Sequence, residues 1–338
     1  MIISASLALL TSFIFSLLLT PIAKRAALRF MILDVSDSRL KTHKNSTPYL
    51  GGLSIFASVL IATALIILLF KVMIPFALYG LLISCWIIMV TGLIDDTLNL
   101  TPLTKVSFEV VAAMLAWFTG TGITLTGVEQ VDFMLTILWI VGLSNAFNLI
   151  DIMDGLASGV AAVSSIFLSF LCFELGEIIY GLLLLSIAGA CLGFLKFNFN
   201  PAQIFMGDTG SLFLGFFIAC STTRIFNYKE SGLEFLPIIT LGIPIFETIF
   251  ISLLRMKSGV FPWKGTKDHF ALRLVRMGLS VKRIVILTYL FGVFLGSAAL
   301  LFYYLSLPLL YCFLAITFIL IVIGCVLSQV KISDSQHS

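Results

Sequence analysis

Charge is what this sequence has least of. Lys and Arg number 20, and Asp and Glu 17, in 338 residues, or 11% of the chain, against roughly 25% in a soluble domain. A chain so poor in charge cannot cover a water-facing surface, which excludes an ordinary soluble fold. Histidine is nearly absent, at three residues, and the six cysteines (Cys85, Cys172, Cys191, Cys220, Cys312 and Cys325) fall singly inside apolar runs. With no paired spacing there is no basis for a disulfide framework or a zinc site. No Walker-type loop and no dinucleotide fingerprint occurs. No repeat relates the two halves, although many transporters carry one. The net charge is only +3, and no nucleic-acid partner is expected.

What is abundant is apolar sequence, at 60% hydrophobic residues and a mean hydropathy of +1.14. Runs of about 18 to 22 apolar residues recur, each enough to cross a hydrocarbon core of roughly 30 Å as a helix. Eleven are centred near residues 12, 60, 84, 112, 141, 166, 187, 217, 245, 292 and 318. The expected fold is all-α: a polytopic integral membrane protein with about eleven transmembrane helices. Residues 1–330 would form one catalytic domain, with a short cytoplasmic tail at 331–338. The first run carries no Lys or Arg before Lys24 and then meets "KRAALR", the reverse of a secretory signal. It reads as a retained helix with the N-terminus outside, and eleven crossings then leave the C-terminus in the cytoplasm. On this topology 17 of the 20 Lys and Arg lie inside, and only Lys71, Arg224 and Lys229 outside, in line with the resistance of these residues to translocation.

The acids sort differently from one another. Nine of ten Asp fall on inside segments, while five of seven Glu fall outside. A positive-inside bias explains the bases and not the Asp. Short carboxylates held together suit a hard divalent cation, and Mg²⁺ commonly takes one or two of them plus phosphate oxygens. Nearby bases would hold an anionic substrate.

The inside loops carry the detail. The first, "DVSDSRLKTHKNSTPYLGG", clusters cations with His43 and ends in Pro48, Gly51 and Gly52, a tight entry where backbone can approach a ligand. Attraction to anionic lipid is the plainer reading of its bases. The second, "GLIDDTLNLTPLTK", sets Asp95 beside Asp96. Their repulsion would be relieved by a metal or a cation, and helix-end capping needs only one of them. In the fourth, "KFNFNPAQIFMGDTGSLFLG", Asp208 lies between Gly207 and Gly210 at the start of a span, where free N–H groups and the helix dipole favour phosphate. Capping by Asp208 is the alternative. The fifth, residues 255–283, holds eight bases and His269.

The third loop is the most unusual. In "NAFNLIDIMDGLASG", Asn145, Asn148, Asp151 and Asp154 fall three apart. Three residues turn an α-helix by about 300°, so Asn145 and Asp154 drift to opposite faces and the four cannot form one stripe. The spacing predicts that Asn145 and Asn148 end the incoming span and that Asp151 and Asp154 project from a turn, with Gly155 and Gly159 opening the next helix. N-cap chemistry accounts for any one of these residues, but not for four beside the other Asp loops. Together the loops suit Mg²⁺-assisted phosphoryl transfer at the membrane surface between a lipid and a soluble phosphorylated molecule.

At these residues the chain resembles the polyprenyl-phosphate N-acetylhexosamine-1-phosphate transferases, membrane enzymes that move a sugar 1-phosphate from a UDP-sugar to a polyprenyl phosphate and release UMP. The resemblance spans residues 34–280, with "DSRLKTHKNSTPYLGG", "GLIDD", "NAFNLIDIMDGLA", "NFNPAQIFMGDTGSLFLG" and "HFALRLVRMGLS" in the family's order. It implies that Asp208 binds Mg²⁺, with Mn²⁺ as a substitute. It implies further that Asp95 and Asp96 bind the metal and position or deprotonate the lipid phosphate, and that His269 belongs to the catalytic set. Asp151 and Asp154 match positions contacting the nucleotide and the polar network of the site, and Asn148 belongs to the same motif. Asn198 and Phe205 match residues near the uracil and pyrophosphate, and His43 and Lys44 the first-loop His and cation. The family often has a His cluster in the fifth loop; here Ala271 and Leu272 follow His269, and Arg273 would share the holding of phosphate.

The implied partners are a UDP-sugar, undecaprenyl phosphate and the membrane, with a homodimer compatible. The implied place is the inner (plasma) membrane, multi-pass, with the active site on the cytoplasmic face. Eleven spans are similar to the branch using UDP-N-acetylglucosamine in cell-envelope polysaccharide synthesis, whereas the phospho-N-acetylmuramoyl-pentapeptide branch of peptidoglycan synthesis has ten. A reading from another class is an anionic-solute transporter, with Glu109 and Glu247 as intramembrane pathway residues. Against it, Glu109 lies four residues after Lys105, a ready helical pair.

Overall fold

The computed structural model describes residues 2–34, 47–71, 73–228, 232–261, 268–305 and 308–330. Its elements run α1 (Ile2–Arg29), β1 (Leu33–Asp34), β2 (Thr47–Pro48), α2 (Gly51–Phe70), α3 (Phe76–Leu98), α4 (Pro102–Phe118), α5 (Glu129–Ile150), α6 (Leu156–Glu174), α7 (Ile178–Asn198), α8 (Gly207–Phe226), α9 (Phe235–Thr240), α10 (Gly242–Lys257), α11 (Phe270–Arg276), α12 (Val281–Tyr304) and α13 (Leu309–Ser328). The protein is an all-α polytopic membrane protein. A helix occupies each of the eleven expected positions. Nine helices among the described residues are long and apolar enough to cross a membrane; α4 and α10 are shorter, at 17 and 16 residues.

The expected continuous span near residue 245 is broken, with α9 separated from α10 by Leu241. The cause is local. Pro244 has no N–H to give the carbonyl of Thr240 four residues back, and Ser164 Oγ donates to that carbonyl instead, at 3.2 Å. The only strands among the described residues are the two-residue β1 and β2. They pair antiparallel, Leu33 with Pro48 and Asp34 with Thr47, and tie the end of α1 to the start of α2.

Helices in lipid gain little from burying apolar side chains against one another, so close backbone approach matters more. On α1 the buried residues Ser4, Ala8, Ser12, Ser16 and Thr20 repeat every four positions, a small-residue stripe that lies against Gly189 and Gly193 of α7. Helix α8 is the centre of the molecule, buried along almost its whole length and packed by α3, α5, α2, α6 and α7. Its small and hydroxylated residues fit that place. Gly215 meets the backbone of α5 at Leu143 and Ser144, and Ser221, Thr222 and Thr223 return their hydroxyls to carbonyls of their own helix.

Candidate active site

The C-terminal end of α3, the N-terminal ends of α4 and α8 and the C-terminal end of α5 meet at one end of the bundle, and the Asp loops meet with them. Adjacent residues on a helix point about 100° apart, and Asp95 and Asp96 accordingly do different things. Asp95 accepts from the Leu100 N–H at 2.6 Å and from Lys105 Nζ at 2.5 Å. Asp96 reaches across to α8, where its carboxylate accepts from the N–H groups of Asp208 (2.7 Å) and Thr209 (3.1 Å) and from the Thr209 hydroxyl (2.6 Å). It caps α8 from another helix, satisfying donors that a helix start leaves open. Gly207 makes room for this: its φ of +67° suits glycine, and a Cβ there would lie 2.7 Å from Asp96 Oδ1.

With the cap supplied by Asp96, the side chain of Asp208 is free of that task. It accepts from Asn148 Nδ2 at 2.9 Å and pairs with the Lys105 ammonium. Lys105 thus joins Asp95 and Asp208, which keep 11% and 28% of their side chains exposed. Sequence reasoning missed Lys105 as a site residue and assigned it to Glu109; the structure corrects both points. Glu109 is fully buried and receives Asn145 Nδ2.

The third loop has the predicted form. Helix α5 ends at Ile150, and residues 151–155 make the turn before α6. Asn145 ties α5 to α4 through Glu109, and Asn148 ties it to α8 through Asp208 and the Ser211 hydroxyl at 3.0 Å. Asp154, on the turn, accepts from Asn200 Nδ2 and the Ala202 N–H, both at 2.9 Å. Asn198 is buried and accepts from the Gly155 N–H (3.1 Å) while donating to the Ile204 carbonyl (3.0 Å), so it latches the third loop to the fourth. Desolvation first, and then the carboxylates of Asp208, Asp96 and Asp154, push Asp151 well above the usual carboxylate range.

Phe205 zips the fourth loop to the first. Its N–H donates to the Pro48 carbonyl and its carbonyl accepts from the Gly51 N–H, both at 2.9 Å, and Gly52 N–H donates to Met206. The close backbone approach expected at Gly51 and Gly52 is therefore made to protein, not to a ligand. A Cβ on Gly52 would collide with Gly210. His43 and Lys44 lie outside the described residues.

The fifth loop contributes a separate cluster. His269 Nδ1 lies 2.9 Å from Oε1 of the buried Glu247 on α10. Arg273, also buried, donates to the carbonyls of Leu327 (3.1 Å), in the last turn of α13, and Val330 (2.6 Å), just after it, and to Asp268 Oδ1 (2.9 Å). Its guanidinium fastens α11 to the C-terminal end of α13, and no contact among the described residues turns it toward Asp208.

A divalent cation fits the main cluster chemically. Asp95 and Asp208 face one ammonium, Asp96 lies beside them at the start of α8, and every donor available to a metal there is oxygen, the preference of Mg²⁺ and Mn²⁺. Lys105 stands where Asp95 and Asp208 converge. Among the described residues no three His, Cys, Asp or Glu side chains form a cage, and Mg²⁺ does not require one when phosphate oxygens complete its shell.

Fold and site together define a polytopic membrane protein with an acidic, oxygen-rich centre where its helix ends meet. Residues 78–225 match the model of glycosyl transferase family 4. A probable undecaprenyl-phosphate N-acetylglucosaminyl 1-phosphate transferase of Bacillus subtilis is 33% identical over 335 residues, covering 96% of this chain and 91% of that protein. A decaprenyl-phosphate N-acetylglucosaminephosphotransferase of Mycolicibacterium smegmatis is 28% identical, over 87% of this chain and 81% of its own. A phospho-N-acetylmuramoyl-pentapeptide-transferase of Bacillus anthracis is 30% identical, over 85% and 92%. The chain belongs to the polyprenyl-phosphate N-acetylhexosamine-1-phosphate transferase family, as its five motifs indicated.

Proposed function

We propose that this protein transfers N-acetylglucosamine 1-phosphate from its UDP-sugar to undecaprenyl phosphate, releasing UMP, as a first membrane step of cell-envelope polysaccharide synthesis. The observation that carries the reading is the convergence of Asp95 and Asp208 on Lys105 at the common end of α3, α4, α5 and α8. Eleven crossings, an outside N-terminus, a cytoplasmic site in the inner membrane and a single domain over residues 1–330 belong to the same proposal. Glu109 and Glu247 each hold a hydrogen-bond partner inside the bundle, which favours an enzyme over a transport pathway.

Asp208 and Asp95 would hold Mg²⁺, which supplies neutralisation of the diphosphate charge. Lipid phosphate is largely dianionic near neutral pH, its second pKa being about 6 by analogy with phosphorylated side chains, so a strong base is not needed for direct attack. Asp95 orients that phosphate; the three donors already on Asp96 favour Asp95 for the role. Lys105 moves from the carboxylates to the incoming phosphates, and Asn148 keeps Asp208 aimed. Asp151 and Asp154 shape the nucleotide side of the pocket. A covalent aspartyl-phosphate route is the competing mechanism.

The test is UMP release by purified protein with undecaprenyl phosphate, Mg²⁺ and either UDP-N-acetylglucosamine or the UDP-muramoyl-pentapeptide. Turnover with the second donor alone would replace the first reading, which the Bacillus anthracis relative keeps in play. Asp208→Asn is expected to remove most turnover in a folded protein. Activity like that of the wild type in this variant would sink the metal assignment.

A further inference from the structure

We propose that Glu247 is a positioning residue that fixes the imidazole of His269, so that Nε2 is the atom His269 presents to substrate. The inference rests on the transferase reading above and adds to it a residue outside all five sequence motifs. Glu247 is completely buried on α10, where a carboxylate without donors would be costly. Its donors are both from the start of α11: His269 Nδ1 at 2.9 Å from Oε1, and the Phe270 N–H at 3.3 Å from each oxygen.

Both oxygens accept from the Phe270 N–H, and an ionised Glu247 accepts from Nδ1 as well. Nδ1 must then be the protonated nitrogen, because the hydrogen bond made by one ring nitrogen decides the role of the other. His269 occupies the N-cap position of α11, and its side chain keeps 10% of its surface exposed. With Nδ1 turned into the bundle, Nε2 is the polar atom left to meet a phosphate oxygen. Carboxylate partners of this kind set the orientation and tautomer of functional histidines elsewhere. The same contact docks the fifth loop on α10, since Phe270 shares the carboxylate. That explains an acid buried inside the bundle, where Glu is found only when it is paired.

The experiment compares Glu247→Gln, His269→Ala and the double variant with wild type, reading UMP release, KM for each substrate and thermal unfolding in detergent. Glu247→Gln keeps the shape and lets the amide present N–H₂ to Nδ1, releasing the ring from one tautomer. A positioning role gives a roughly 10- to 100-fold fall in kcat, little change in KM for the lipid, and a double variant no slower than His269→Ala alone. A structural role makes the two losses multiply and lowers the unfolding temperature in both backgrounds, which would overturn the inference. Should Glu247→Gln not fold, Glu247→Asp keeps the charge but withdraws it by a methylene, and the same comparison with and without His269→Ala decides. No UMP release by wild type overturns the transferase reading and this inference with it. Release by wild type, together with unchanged turnover in Glu247→Gln, overturns the inference alone.

Discussion

The Asp96 carboxylate accepts the Thr209 hydroxyl at 2.6 Å and caps α8 across 113 positions of sequence. Asp95, its neighbour, meets α8 only at the Asp208 carboxylate, directly and through the shared Lys105, and caps nothing there. The two members of one acidic pair should therefore fail differently. Asp96→Ala is expected to cost about 1–3 kcal/mol of stability, the range for charge-assisted bonds to otherwise unsatisfied N–H groups, and to lower turnover as Asp208 shifts. Asp95→Asn should unfold at the wild-type temperature and lose turnover. Thermal unfolding measured beside UMP release separates them, and equal loss of stability in both would refute the division of roles.

Lys105 stands between Asp95 and Asp208 as a cation would. Removing it, as in Lys105→Met, leaves two carboxylates facing each other, a repulsion that a divalent ion relieves. The variant should unfold at a lower temperature than wild type in a chelator and gain more from added Mg²⁺, since an ion that binds only the folded state stabilises it by mass action. Turnover should stay low even in Mg²⁺, because no ammonium is left for the phosphates. An equal Mg²⁺ response in the two proteins would remove Lys105 from the metal site.

Lys105 also shows where sequence stops being informative. Its helical neighbour Glu109 is four residues away, and local spacing alone points to that pair; its actual partners are Asp95, across the turn between α3 and α4, and Asp208, 103 positions distant, and nothing local encodes the second contact. Glu247 was legible as an intramembrane acid but not as the partner of His269, for the same reason. The turn after Ile150 was legible because three-residue spacing is incompatible with one helix face, which is a local constraint. The eleven helix positions were legible because lipid demands long apolar runs, whereas the break at Leu241 depended on Ser164 taking over the Thr240 carbonyl. Asn198 and Arg273 were named from the family resemblance as candidate substrate contacts, and only packing shows that they bind neighbouring loops and the end of α13.

Asn145 answers to a different rule from its neighbour Asn148. It donates to Glu109, which is fully buried, so Asn145→Ala leaves that carboxylate without its amide. The expected cost is about 2–3 kcal/mol, the penalty of stranding a buried acceptor. Adding Glu109→Gln should recover part of it, since a neutral amide tolerates burial better than a charge. Asn148→Ala should instead spare stability and reduce turnover through Asp208. Unfolding temperatures of the three variants test the coupling, and additive losses at Asn145 and Glu109 would contradict it.

Asp151 gives a pH dependence of definite sign. Its carboxyl is held well above the usual range in the folded protein by desolvation and by Asp208, Asp96 and Asp154, while in the unfolded chain it titrates near the ordinary value of about 3.9. Between those two pKa values the unfolded state has released the proton and the folded state has not, so this group lowers stability progressively as pH rises above about 4. The effect levels off once the folded group also ionises. Asp151→Asn removes the titration, and in a chelator the variant should unfold at a higher temperature than wild type at pH 7, with the gap closing toward pH 4. Activity should not follow stability, because the substituted carboxyl is one that shapes the nucleotide side of the proposed pocket. Melting curves across that pH range decide the point, and a variant less stable than wild type at pH 7 would mean that the charge is stabilised by groups the carboxylate cluster does not contain.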